Sequence, residues 1–138
     1  MSNVRVLRER PVDSEKITIN LGPVDLGRVD LLVQEGFYAN RTDLIRTAIR
    51  NQLAGHGDAV ARSIEKHSME LGLRDLGRAE LEAARARGEA LHLKIVGLLR
   101  IATDVDADLA LATIASLRVL GALQAPAEVK AALGDRIH

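Results

Sequence analysis

Three polar side chains alternate with apolar ones near the start of the chain, and their types suit hydrogen bonding more than bond-breaking chemistry. The segment 16–21 has the sequence KITINL. Strict alternation over six residues predicts a strand with one apolar face and one polar face that carries Lys16, Thr18 and Asn20. Taken alone, that polar face is typical of a solvated edge strand. A functional role needs support from the elements around it.

Residues typical of enzymes and metal sites are scarce or badly spaced. The absence of cysteine excludes disulfides, thiol catalysis and Cys-ligated zinc. The histidines are far apart: His56, His67, His92 and His138. Segment 104–108 begins like a calcium-binding loop, but its sixth position is Leu109 instead of glycine. Because no phosphate-binding glycine loop or nucleophile motif is present either, we expect no enzyme, no metal and no cofactor.

Composition narrows the class of protein further. Apolar residues make up 47% of the 138 residues and charged residues 28%, which indicates a folded chain. A single Phe, a single Tyr and no Trp leave no aromatic platform for single-stranded nucleic acid. No apolar run reaches the ~20 residues of a membrane span, and the N-terminus lacks the apolar core of a signal peptide. We therefore expect a cytoplasmic protein without membrane partners.

The predicted strand is followed by two predicted helices. Gly22 and Pro23 end the strand, and apolar spacing predicts a helix over 24–34 with Gly36 after its end. Asn40 suits the N-cap of a second helix that runs to about Leu53, with Asp43 favourably placed in its first turn. A lone strand is unstable in water, so this one must pair with another strand.

The second half of the chain predicts a different architecture. Beyond the linker 55–57, strands alternate with helices, which favours a small α/β layer without an internal repeat. Apolar residues on both faces of the strand 91–102 place it centrally, with both faces covered. A rival interpretation takes 91–133 as short β-coils punctuated by Gly97 and Gly121. The remaining predicted strands are 69–76 and 118–125. The remaining predicted helices begin at Asp58, cover 78–87, run from a cap at Asp106 to Leu117, and follow Pro126.

The turn and second helix carry a resemblance to a known family. Segment 35–50, EGFYANRTDLIRTAIR, resembles the ribbon-helix-helix DNA-binding regulators of the CopG, Arc and Met repressor type. Asn40 with Thr42 departs from the commoner Ser at both positions, although Asn caps a helix as well as Ser. The resemblance covers 16–53, under a third of the chain. It implies an α+β protein: a β-α-α intertwined dimer, followed here by the small α/β domain.

The resemblance also implies roles for individual residues. The strand pairs with its copy in a second chain, and the resulting ribbon enters the major groove of double-stranded DNA. Base contacts fall to Lys16, Thr18 and Asn20. The start of the second helix holds a phosphate. The implied phosphate contacts are Asn40, Arg41 and Thr42, and the basic N-terminal arm adds Arg5, Arg8 and Arg10.

Together these observations predict a homodimeric, sequence-specific transcriptional regulator, most simply a repressor. Residues 1–14 form a basic arm, 15–55 the ribbon-helix-helix domain for DNA binding and dimerisation, and 56–138 an α/β domain for oligomerisation into higher assemblies or for sensing an effector. The first alternative is an antitoxin that regulates its own operon and binds a toxin through the C-terminal half. The second is an assembly protein that binds no DNA.

Overall fold

The computed structural model describes residues 14–138, and the chain divides into two compact units between Arg62 and Ser63. We call the described part up to Arg62 the N-terminal unit and 63–138 the C-terminal unit. The predicted arm contacts Arg5, Arg8 and Arg10 lie outside the described residues.

Three helices form the described elements of the N-terminal unit and its boundary. They are α1 (Pro23–Gln34), α2 (Arg41–Gly55) and α3 (Gly57–Lys66), the last of which crosses the boundary. Proline at the first position of α1 suits a helix start, because its missing N–H would have no helical acceptor there. Segment 14–22 is neither helix nor strand in the described chain. The predicted strand therefore stays a prediction, since the partner that the resemblance implies for it is a second chain.

The N-terminal unit has no buried core of its own. No residue of α1, α2 or α3 is buried, and the side chains that sequence periodicity assigns to an apolar face stay open to solvent. Ile17 is 71% exposed, Ile19 is 55% exposed and Leu53 is 60% exposed. A segment of this size cannot bury enough apolar surface alone, so its stability must come from contacts beyond the single chain.

The C-terminal unit is a βαβαβα arrangement with one parallel sheet. The strands lie in the order β1-β2-β3, with all neighbours parallel. The prediction of a central strand from Leu91 is thus confirmed. The elements are β1 (Glu70–Leu76), α4 (Arg78–Ala86), β2 (Leu91–Ile101), α5 (Ala107–Thr113), β3 (Ile114–Gln124) and α6 (Ala127–Ala132), with a 3-10 turn at Gly134–Arg136.

All three helices of this unit pack on one face of the sheet. Their buried residues join one core with alternate residues of the strands, among which Leu99 and Leu117 are 0% exposed. The prediction that β2 is covered on both faces holds only in part, because helices cover one face, while on the other face Leu98 is 8% exposed but His92 and Lys94 are exposed. On the other face Leu71 is 68% exposed, and Leu73 lies beside Leu98. Strands in sequential order joined by right-handed crossovers put every connecting helix on the same side.

A row of glycines crosses the sheet. Gly72, Gly97 and Gly121 are register partners, and their φ angles are +126°, +138° and +126°. A Cβ on Gly97 would collide with the carbonyl of Gly72, and one on Gly121 with the carbonyl of Gly97. Glycine is therefore required both by the backbone conformation and by the close approach of the neighbouring strand.

The glycine row marks a repeat that the sequence analysis missed. The glycines are 25 and 24 residues apart. From Ile101 to the C-terminus, positions that pack in the core also recur at a spacing of 24 residues. The recurring pairs are Ile101 and Ala125, Val105 and Val129, Leu109 and Leu133, and Thr113 and Ile137. Residue identity is kept in only two of these pairs, Val105 with Val129 and Leu109 with Leu133, which hides the repeat from inspection. One boundary was also wrong: β3 begins at Ile114, so the helix before it ends four residues earlier than predicted.

Candidate nucleic-acid interface

Segment 15–19 lies along α2 and forms a groove with it. The groove measures about 460 Å³. Its apolar lining consists of Ile17 and Ile19 from the segment and Ile45 and Ile49 from α2. These residues are the face that alternation predicts to be apolar, and α2 supplies the matching stripe at i, i+4. The apolar side of the predicted strand is thus directed toward the second helix.

The three predicted base-contact residues do not share one location in the single chain. Thr18 and Asn20 are exposed and do not line the groove, as expected for the side of the strand that faces away from α2. Lys16 is also exposed, but it lines the groove together with Arg46. The sequence analysis assigned no role to Arg46. Its place in the lining adds a second cation to the groove.

The N-terminus of α2 is closed by a pair of reciprocal hydrogen bonds. The Asn40 side-chain oxygen accepts from the N–H of Asp43 at 2.8 Å, and the Asp43 carboxylate accepts from the N–H of Ala39 at 2.9 Å. The predicted N-cap is therefore present. The N–H groups of Arg41 and Thr42 belong to the first helical turn, where the helix itself supplies no acceptor. Such groups, together with the positive end of the helix dipole, suit an anion.

The side chain of Arg41 is committed to the first helix. Its guanidinium donates two hydrogen bonds to Asp30 of α1, Nε to Oδ1 at 2.7 Å and Nη2 to Oδ2 at 2.8 Å. The hydrogen bond lowers the pKa of Asp30 and raises that of Arg41. This planar pair fixes α1 against the start of α2. A phosphate at this position would therefore meet the backbone N–H of Arg41, whereas the guanidinium already holds a carboxylate.

The C-terminal unit has a cleft of its own at the carboxyl ends of the strands. It measures about 570 Å³, and Thr103, Gln124 and Pro126 are among the residues that line it. On one wall Arg100 donates to Asp75 at 2.8 Å. Parallel α/β sheets commonly bind ligands at this end. Among residues 14–138 no cluster of His, Asp or Glu could hold a metal ion.

Comparison with protein families agrees with the site geometry. The model of the Ribbon-Helix-Helix transcriptional regulator family matches residues 12–130. The chain belongs to this family. The match confirms the resemblance and extends it from 16–53 into α6, so the C-terminal unit is part of the family pattern. Neither the curated proteins nor the solved structures yielded a match to the chain.

Membership in this ribbon-helix-helix family identifies the chain as a transcriptional regulator of a class that binds DNA and forms dimers. Such regulators are typically not enzymes. In the part of the chain that the structure describes, no helix has both the length and the apolar character that a membrane crossing requires.

Proposed function

We propose that this ribbon-helix-helix regulator is a repressor that reads a specific site in the major groove of double-stranded DNA. The reading element is a two-stranded ribbon made from segment 16–21 of two copies of the chain. The observation that carries the proposal is the N-terminal unit without a buried residue, in which four isoleucines line an open groove. A second copy is the partner that the family implies.

Pairing of the two segments satisfies both faces of the predicted strand. An antiparallel partner supplies the missing backbone hydrogen bonds, and the combined helices of two copies cover Ile17 and Ile19. The opposite face then carries Lys16, Thr18 and Asn20 outward. Lysine donates to guanine, asparagine pairs with adenine and threonine contacts either base or the thymine methyl group, so the ribbon has the chemistry for base readout.

The start of α2 anchors each half of the dimer on the DNA backbone. Asn40 holds the first turn in shape through Asp43, and the N–H groups of Arg41 and Thr42 bind one phosphate oxygen each. Arg5, Arg8 and Arg10 of the N-terminal arm add contacts to flanking phosphates. These arm contacts carry no sequence information, but they make the affinity steeply dependent on salt.

The C-terminal unit favours a regulator over an antitoxin. Antitoxin tails that wrap a toxin tend to be charged and disordered before binding, whereas this unit has a core that includes Leu99, Leu117 and Val129 at 0% exposure. We assign it the role of joining copies of the chain. The cleft beside Arg100 and Asp75 is the location for an effector, if one regulates the assembly.

Selection of fragmented genomic DNA by the purified protein tests the ribbon. The wild type is compared with a Thr18→Ala/Asn20→Ala variant, and Asn51→Ala/Ser63→Ala serves as a matched control because it removes an amide and a hydroxyl from exposed positions elsewhere. We expect the wild type and the control to enrich one palindromic or repeated site. The ribbon variant should lose about 1–3 kcal/mol of discrimination per base contact.

Two results would contradict the proposal. A ribbon variant that still selects the wild-type site would show that other residues read the bases. If no protein enriches DNA at moderate salt and binding shows no dependence on salt, the chain is an assembly protein and not a DNA reader.

A further inference from the structure

Strand β1 lies at an edge of the sheet and carries exposed leucines. It pairs with β2 on one side and with no strand on the other side within the described chain. Leu71 and Leu73 are 68% and 50% exposed, and both lie on the face without helices. An unpaired edge with apolar side chains is a template for another strand, and natural proteins usually protect such an edge with charges or a covering element.

The glycine row extends this argument to the backbone. At Gly97 and Gly121 the place where a side chain would begin is filled by the carbonyl group of the preceding strand. Gly72 has the same positive φ, but no atom lies within 4 Å of the corresponding place. β1 lies beside Gly97 of β2, and β2 lies beside Gly121 of β3, but no described residue takes the corresponding place beside Gly72 of β1. The backbone of a further strand has open space at this glycine.

We infer that β1 of one copy pairs antiparallel with β1 of a second copy, so that two C-terminal units share one six-stranded sheet. This inference deepens the proposed function, because it names the surface through which the C-terminal unit joins copies. A register with Gly72 opposite Gly72 places Leu71 opposite Leu73 of the second copy. It also places Glu70 opposite Arg74, so the same register matches apolar with apolar and acid with base.

The side chains at this edge already have the required charge pattern. Arg74 lies between two carboxylates, with Nη1 at 3.0 Å from Glu70 and Nη2 at 2.7 Å from Glu80. In the proposed pair each Arg74 gains the Glu70 of the other copy, and the two-fold axis repeats the contact. A closed, isologous interface requires a surface that complements itself in this way.

The opposite edge of the sheet is less suited to pairing. Beside β3, Ile137 forms a parallel bridge with Leu117, and the N–H of His138 donates to the carbonyl of Leu117 at 2.8 Å. The start of that edge is thus occupied by residues of the same chain. Head-to-tail stacking of β3 on β1 would have to displace them, whereas pairing of β1 with β1 displaces nothing.

The proposed dimer of N-terminal units would hold two C-terminal units in one assembly. Only His56 separates α2 from α3, which leads into each C-terminal unit. Two copies held in one assembly have a raised effective concentration of one edge for the other. Even a weak strand pairing is then populated.

Disulfide cross-linking of the full chain tests the inference, because the natural sequence has no cysteine and any thiol is an introduced one. In the proposed register a Leu71→Cys/Leu73→Cys variant has two directly opposed pairs. Their Cα separation of about 4.5–5.5 Å suits a disulfide. We expect mild oxidation to give a two-chain species on a non-reducing gel. In this species a disulfide should link position 71 of one chain to position 73 of the other.

Two matched variants control for the specificity of the cross-link. Leu111→Cys/Leu120→Cys places two thiols at exposed leucines away from β1, and it should stay uncross-linked. Leu71→Cys/Leu120→Cys reports head-to-tail stacking, because Leu71 and Leu120 share a row of the sheet through Val96. Circular dichroism of each variant checks that the fold is retained, as expected for substitutions at exposed positions.

Several results would overturn the inference. They are cross-linking of Leu71→Cys/Leu73→Cys only within one chain, no cross-linking at all, or a multi-chain ladder from Leu71→Cys/Leu120→Cys. DNA binding of the same unoxidised samples is measured in parallel. Loss of cross-linking with DNA binding intact rejects the β1 pair alone, whereas cross-linking without DNA binding rejects the proposed repressor function alone.

Discussion

The two units of this regulator solve the problem of burial in opposite ways. In the N-terminal unit no described residue is buried, although Ile17, Ile19 and Ile49 line a common groove. In the C-terminal unit Leu81, Leu99 and Leu117 are 0% exposed within a single chain. The comparison teaches that the exposed apolar stripe of the first unit is one part of a shared core, which a second chain completes in the proposed dimer.

Disruption of that shared core gives the largest effect that we expect. Ile19→Asp places a charge where the two copies meet in the proposed dimer, and a desolvated carboxylate without a partner is strongly unfavourable. We expect loss of the dimer, unfolding of the N-terminal unit and loss of DNA binding, while the C-terminal unit stays folded. Sedimentation measures the dimer, and near-ultraviolet circular dichroism of Tyr38, the only tyrosine, reports the N-terminal unit.

Thr18→Asp is the matched control for this prediction. It adds the same charge one residue away, on the face that we assign to DNA. It should abolish DNA binding and leave the dimer and the Tyr38 signal intact. A dimer lost equally in both variants would show that the alternation of faces is not what stabilises the N-terminal unit.

A core substitution in the C-terminal unit should have a smaller and local effect. Leu99→Ala removes a fully buried side chain from the central strand and should cost about 2–5 kcal/mol of the unfolding free energy. Denaturant unfolding followed by far-ultraviolet circular dichroism measures it, with Leu111→Ala at a 38% exposed position as the control. If Leu99→Ala shifted the unfolding transition reported by Tyr38 as strongly as the unfolding transition of the C-terminal unit, the two units would not unfold independently.

The smallest effect concerns the exposed pair between α1 and α2. The pKa of Asp30 is lowered in the folded protein by its hydrogen bond from Arg41, so the stability it contributes is present above the unfolded pKa, near 4, and is lost as the pH falls through the lower folded pKa. Asp30→Asn should therefore lower the melting temperature slightly at pH 7. The difference from wild type should vanish at low pH.

Asp25→Asn provides the comparison for Asp30, because the Asp25 carboxylate lies 3.9 Å from Arg28 and makes a weaker pair. It should change the melting temperature less at pH 7. An equal effect of both substitutions would mean that general charge, and not the hydrogen-bonded pair, sets the stability of this helix junction.

Local signals in the sequence predicted most of the elements. Helix α1 begins at Pro23, α2 begins after the Asn40 cap, and α5 begins after Asp106, whose side chain accepts from the N–H of Leu109 at 2.8 Å. Each of these boundaries depends on a residue and its neighbours within one turn. The family was predictable for a related reason, because its motif is contiguous in the chain.

What the sequence analysis missed depends on contacts between distant residues. Alternation places Leu98 and Leu99 on opposite faces of β2, but it does not reveal which face the helices cover. That choice follows from strand order and crossover hand. The partner that we propose for the 16–21 segment lies in another molecule, and the side chain of Arg41 is directed to Asp30 by the packing of two helices. No pattern in either segment alone contains this information.

The glycine row also determines where the C-terminal unit tolerates changes in length. Between Gly72 and Gly97 the chain has one residue more than between Gly97 and Gly121, yet all three glycines lie in register. The connection from β1 to β2 has 14 residues and that from β2 to β3 has 12, and a register irregularity opposite Leu91 and His92 takes up one further residue of β3. Differences in length are therefore absorbed away from the glycine row. An insertion beside a glycine of the row would instead shift that strand against its neighbour and place a side chain where the backbones meet. Natural variants of this domain should thus differ in length at the connections or by whole repeats, each made of one strand and the helix that follows it.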